Sequence, residues 1–175
     1  MAHSVAFASL VPEPPGRAVD LGSGGGIPGL VLAVHWPTAH WVLLDANERR
    51  IAFLRQAVAA LGVGDRVDVV AGRAEVVARS PSYRATADLV VARSFAPPAV
   101  TAECAAPLLH VGGALVVAEP PGGAPDRWPA AGLALVGLMA DGHVVDPSLQ
   151  RLRQSSPCPD RYPRRPGIPA KRPLF

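Results

Sequence analysis

Short runs rich in β-branched residues alternate along the chain with Ala- and Leu-rich stretches of helical period. Arg17 to Leu21 (RAVDL) predicts a first strand that stops in glycines, and Ile27 to His35 predicts the helix after it. Trp41 to Asp45 predicts a second strand. In Glu48 to Leu61 (ERRIAFLRQAVAAL), Ile51, Leu54, Val58 and Leu61 fall on one helical face. Val67 to Val70 predicts strand three, Ala74 to Arg79 a short helix, and Leu89 to Ala92 strand four. Pro98 to Leu109 predicts a helix opening on prolines, which a first turn tolerates. Ala114 to Ala118 predicts strand five. This alternation implies an α/β fold, a mostly parallel sheet with helices on both faces.

After Glu119 the pattern weakens. Pro120 to Pro129 is a Pro- and Gly-rich loop, and Leu133 to Met139 with His143 to Val145 predicts a final hairpin. From Pro157 to the end (PCPDRYPRRPGIPAKRPLF), six of nineteen residues are proline, which excludes a helix or central strand. The pattern therefore divides the chain into a domain at 1–156 and an extended Pro/Arg-rich tail at 157–175. Arg161, Arg164, Arg165, Lys171 and Arg172 in that tail face one acid, Asp160, so the tail is expected to carry most affinity for a phosphate backbone.

Length and composition narrow this picture without redirecting it. The 175 residues suit one domain, and 49% hydrophobic against 18% charged residues excludes disorder driven by charge. Net charge is +3, too small alone to announce a nucleic-acid partner. Cys104 and Cys158 make no disulfide framework, and the five histidines lack ligand spacing, so no metal is expected. No apolar run approaches the ~18 residues of a membrane span. No Lys or Arg precedes the short apolar stretch at the start, so a signal peptide is not expected and the default compartment is the cytoplasm.

The chemistry concentrates in Asp20 to Gly29 (DLGSGGGIPG), between strand one and the next helix. Gly22, Gly24 and Gly26 let the backbone turn sharply and approach a ligand closely. Two ligand classes compete. Gly24, Gly26 and Gly29 satisfy G-x-G-x-x-G, the dinucleotide fingerprint of a nicotinamide-dependent oxidoreductase. Asp20, just before the glycines, sits poorly beside a pyrophosphate and suits a cationic, amine-bearing ligand, which favours S-adenosylmethionine. Asp45 ends strand two, where its carboxylate either accepts both ribose hydroxyls or caps the helix starting near Glu48. After strand three, Gly72-Arg73-Ala74-Glu75 either reads the adenine edge or compensates a helix dipole through Glu75.

Together these segments resemble the RsmG (GidB) family of small-subunit ribosomal RNA guanine-N7 methyltransferases. The resemblance lies in DLGSGGGIPGLVLA from Asp20, LLDANERRIAFLRQAVAALGV from Leu43, GRAE from Gly72, VARS from Val91, and the tail RYPRRPGIPAKRPL. It implies the class I methyltransferase (Rossmann-like) sheet with an antiparallel end hairpin, S-adenosyl-L-methionine as cofactor, and ribosomal RNA or the small ribosomal subunit as partner. Gly22 and Ile27 would line the cofactor pocket, Asp45 would hold the ribose, Ala74 and Glu75 would flank the adenine. Arg93 would stand at the mouth as the candidate catalytic residue.

Guanine N7 has a lone pair and no proton to lose, so its methylation needs no general base. Alignment and desolvation are then the protein's task. Arg93-Ser94-Phe95-Ala96-Pro97 after strand four is not the Asn/Asp-Pro-Pro-aromatic loop of amino-methyltransferases, and it lacks the cysteine of cytosine-C5 chemistry. Arg93 and Phe95 are the expected substrate contacts, as cation and stacking ring. The family commonly has lysine and glycine where this chain has Glu119-Pro120, a carboxylate unfavourable beside an RNA backbone. The alternative is a cofactor-binding or RNA-binding paralogue without catalysis.

Overall fold

The computed structural model describes residues 2–121 and 125–175. In chain order the elements are α1 (Ala2–Val5), β1 (Arg17–Leu21), α2 (Gly29–His35), β2 (His40–Asp45), α3 (Glu48–Leu61), β3 (Val67–Ala71) and α4 (Ala74–Val77). They continue with β4 (Ala87–Ala92), α5 (Pro98–Ala105), β5 (Leu109–Ala118), α6 (Ala130–Ala134), β6 (Leu138–Val144), β7 (Leu149–Gln154) and α7 (Ile168–Lys171). One seven-stranded sheet has the order β3-β2-β1-β4-β5-β7-β6. The first five strands pair in parallel, and β7 enters antiparallel between β5 and β6.

Sequence explains why the centre of the sheet is dry. Leu89, Val90, Val91 and Ala92 of β4 are at most 1% exposed, because helices cover both faces of a parallel sheet. One core cluster gathers Leu21, Leu44, Leu108, Leu115, Trp128 and Leu152. The other gathers Phe7, Leu32, Trp41, Leu43, Leu54 and Val116, with Trp36 stacked on Trp41 at 6.4 Å. Strand order reverses between β1 and β4, whose neighbours run outward in opposite directions. Ligands of open α/β sheets bind at the carboxyl edge beside such a point.

Several boundaries differ from the sequence pattern, each for a local reason. α2 starts at Gly29 rather than Ile27, because Gly26 and its neighbours are spent on the turn. α3 buries Ile51, Leu54 and Val58, but Leu61 is 50% exposed in the last turn before Gly62. α5 stops at Ala105, a 3-10 turn carries Ala106–Leu108, and Leu109 already belongs to β5. Leu133 lies in α6, and the hairpin is Leu138–Val144 with Leu149–Gln154, so the sequence placed its second strand too early.

The tail differs most. One helical turn, Ile168–Lys171, forms with Pro169 inside its first turn, where a missing N–H is harmless. The segment is also not free of the domain. Arg79 Nε donates to Pro163 O at 2.8 Å, while Arg84 donates to the carbonyls of Tyr162 and Cys158 at 2.8 and 2.9 Å. Arg164 makes a two-pronged pair with Glu103 of α5, at 2.8 and 2.6 Å, and Glu103 is fully buried.

Candidate functional site

The glycine loop leaves β1 at the carboxyl edge and is tied to β2. The N–H groups of Gly22 and Ser23 both donate to Leu44 O, at 2.9 and 3.0 Å. Gly22 sits at φ +74°, a left-handed conformation, and a Cβ there would lie 2.6 Å from the Phe95 ring. Only glycine combines that backbone with that approach. Asp20 lies beneath the loop, 1% exposed, with Oδ2 accepting from Gly29 N–H at 2.9 Å. Burial raises its pKa to about 7, with the neighbouring Asp45 charge adding and the Gly29 and Ser23 hydrogen bonds opposing. Its carboxylate thus braces the turn from below and lines neither of the two clefts described next.

The smaller cleft, about 190 Å³, is lined by Gly22, Leu44, Asp45, Ala74, Ser94 and Phe95 among others. Asp45 is 6% exposed; Oδ2 accepts from Gly24 N–H at 2.9 Å and Oδ1 from Asn47 N–H at 2.8 Å. The helix cap is Asn47, whose side chain accepts from the N–H groups of Arg49 and Arg50, so Asp45 is not the cap. Arg50 also reaches Asp45, at 3.5 Å.

Gly22, Asp45 and Ala74 are therefore brought together, with Gly24 bonded to Asp45. Gly26 is turned into the apolar base of the loop against Leu30 and Leu54. Ile27 is 43% exposed and outside both cleft linings. Glu75 departs from the expectation that it flanks a base. Its Oε1 accepts from Arg73 Nη2 at 2.8 Å and from Gly167 N–H of the tail at 2.9 Å. Burial pushes its pKa up, but those hydrogen bonds outweigh it and hold the carboxyl below its ordinary value.

The larger cleft, about 410 Å³, opens beside the first and holds Arg93, Phe95, Glu119, Arg127 and Trp128. Ser94 and Phe95 line both clefts. Ser94 adopts φ +55°, a conformation that costs a non-glycine residue roughly 1–2 kcal/mol and clusters at functional positions. Glu119 is clamped by Arg127 Nε and accepts from Trp128 Nε1 at 3.1 Å. The carboxylate that the sequence set against an RNA backbone is thus already neutralised by an arginine. Arg127 and Trp128 escaped the sequence pattern because they fall in a Pro/Gly-rich stretch; the one available signal was a tryptophan beside an arginine inside that stretch.

A 3-2-1-4-5-7-6 sheet with a glycine loop after β1 and an acid ending β2 is the fold of the class I methyltransferases. The solved structure of geranyl diphosphate methyltransferase in complex with SAM shares it, with TM-score 0.66 at 13% identity over 86% of this chain and 82% of that one. The family model of rRNA small subunit methyltransferase G (GidB) matches residues 1–119. Ribosomal RNA small subunit methyltransferase G of Moorella thermoacetica is 36% identical over 178 residues, 96% of this chain and 73% of the relative. Its counterpart in Rubrobacter xylanophilus is 39% identical over 173 residues, 91% of this chain and 65% of the relative. The chain belongs to the GidB family of small-subunit rRNA methyltransferases.

Proposed function

We propose that this chain binds S-adenosylmethionine in the smaller cleft and transfers its methyl group to guanine N7 of small-subunit ribosomal RNA seated in the larger one. The observation that carries the reading is the shared wall: Ser94 and Phe95 border both clefts, so a donor in one meets an acceptor in the other. The residues suit that donor. Asp45 offers carboxylate lone pairs for ribose hydroxyls, and Leu44 and Ala74 offer apolar surface for a base. An added Cβ at Gly24 or Gly25 would meet nothing nearer than 3.8 Å, so the loop backbone is open to a ligand.

When bound, S-adenosylmethionine would supply a methyl group on a sulfonium whose bonding pair can stay on sulfur, and an acceptor such as guanine N7, with a lone pair and no proton, would need no base. The protein's part is positional. Ser94 and Phe95 hold the boundary, Arg93 places positive charge at the exposed rim for phosphate, and Phe95 offers a ring for stacking. Glu119, the one carboxylate lining the larger cleft among the described residues, accepts on both oxygens from Arg127 and Trp128 and is not poised as a base. That favours an acceptor atom without a proton. Among the described residues, no group of three potential ligands is placed for a metal ion, and no helix is long and apolar enough to cross a membrane.

Calorimetry with S-adenosylhomocysteine and NAD in parallel tests the cofactor. Binding of the former alone is expected; preference for NAD would return the glycine loop to the oxidoreductases.

A further inference from the structure

We infer that Glu119 and Arg127 form a guanine-reading pair in the larger cleft, the carboxylate accepting from N1–H and N2–H2 and the guanidinium donating to O6. The inference rests on the methyltransferase reading above and adds how the acceptor base is chosen.

Glu119 follows β5 directly, and its own N–H is fixed to Ser148 O at 2.9 Å, so the side chain starts from a rigid edge. Its side chain is 8% exposed, yet it belongs to the cleft lining. Each oxygen already accepts one hydrogen bond, from Arg127 and from Trp128. A carboxylate has about four lone-pair sites, which leaves acceptor capacity on both oxygens. Arg127 bonds Glu119 through Nε, and a guanidinium carries four further N–H donors on its terminal nitrogens. Its side chain is 33% exposed, so those donors reach the cleft surface.

The result is a cation and an anion side by side on one wall, a donor next to an acceptor. Guanine's edge runs acceptor, donor, donor through O6, N1–H and N2–H2, which complements that order. Adenine presents an amino group to the guanidinium and a bare N1 to the carboxylate, two mismatches at once. Facing adenine, the guanidinium meets a donor and the carboxylate meets a lone pair, so both contacts turn repulsive and the site discriminates against that base. This pairing consumes no N7 contact, so the reacting lone pair stays free. Phe95 brings half-buried aromatic surface to the same cleft for stacking, and Trp128, packed in the core, borders it closely enough to report on an occupant.

A purely structural ion pair anchoring the loop after β5 would show none of this selectivity. Trp128 is the reporter: Trp36 and Trp41 stack on each other in the other core cluster. Quenching of tryptophan emission by guanosine, inosine and adenosine 5′-monophosphates is measured on the full chain, with S-adenosylhomocysteine binding as the control. Inosine keeps O6 and N1–H and lacks the N2 amine. The wild type is expected to bind guanosine over inosine over adenosine monophosphate. Glu119→Gln is expected to weaken the guanosine nucleotide about tenfold, the scale of one hydrogen bond to a charged group, and to narrow its lead over inosine. Arg127→Gln is expected to weaken both equally and keep the gap. Both variants should bind S-adenosylhomocysteine as wild type does. Equal quenching by all three nucleotides, or none, with intact S-adenosylhomocysteine binding overturns the inference and leaves the methyltransferase reading standing. Wild type that fails to bind S-adenosylhomocysteine overturns both.

Discussion

Asp20 holds a carboxylate inside the sheet edge for the sake of one backbone N–H, and the cost appears as pH dependence. Its folded pKa is raised to about 7 by burial, above the ordinary value of 3.8. A raised folded pKa contributes stability that is complete below the unfolded value and is lost as pH rises through the folded one. Asp20→Asn keeps an oxygen for Gly29 and removes the titration. Its stability relative to wild type, from urea unfolding, is therefore expected to increase between pH 4 and pH 8. A difference independent of pH would contradict the raised value. Asp45 is the other residue on which the site turns. Asp45→Ala is expected to weaken S-adenosylhomocysteine by about 1.5–3 kcal/mol, the scale of charge-assisted hydrogen bonds. Calorimetry matching wild type would remove Asp45 from the ribose.

Among the elements, the terminal segment changes its role most. Arg164 closes on Glu103 with both prongs of its guanidinium and with its own N–H, while Gly167 N–H holds Glu75 beside Ala74. Arg164→Ala leaves Glu103 buried without its counter-charge, held only by the backbone N–H of residue 164, and breaking such a buried pair costs roughly 3–5 kcal/mol in comparable cases. Denaturant unfolding should show that loss; a change below about 1 kcal/mol would mean that Glu103 finds water or another partner. Because Ala74 lines the smaller cleft, removing residues 157–175 is expected to weaken S-adenosylhomocysteine binding as well. A truncated chain that folds and binds it fully would separate tail from site.

These contacts explain what the sequence could and could not carry. The β1 loop, Asp45 and the five parallel strands are local: a period, a glycine run and an acid at a strand end suffice to place them. β7 escaped because Arg151 and Arg153 interrupt its apolar pattern, although Leu149 and Leu152 are buried and paired to β5. The ties of Glu75 and Glu103 to the terminal segment escaped for a different reason. Their partners, Gly167 and Arg164, lie 92 and 61 residues away, and nothing in the spacing of charges joins them.

For the molecule as a whole, charge decides how RNA would be held. Residues 1–156 carry twelve bases and thirteen acids, so the excess of cations lies in the terminal segment. Arg164 is committed to Glu103, but Arg165, Lys171 and Arg172 remain exposed. Replacing those three with glutamine removes their charge without lifting the segment off the domain. The slope of log affinity for RNA against log salt is expected to flatten by about 2, at roughly 0.7 per single-strand phosphate. An unchanged slope would place the RNA elsewhere on the surface. On the proposed function, the two clefts together deliver a methyl group to guanine N7. The direct test is to incubate the full chain with methyl-labelled S-adenosylmethionine and small ribosomal subunits lacking the modification, then digest the RNA to nucleosides. Label in N7-methylguanosine alone is the expected result; label in adenosine or cytidine products, or none in RNA despite cofactor binding, would contradict it.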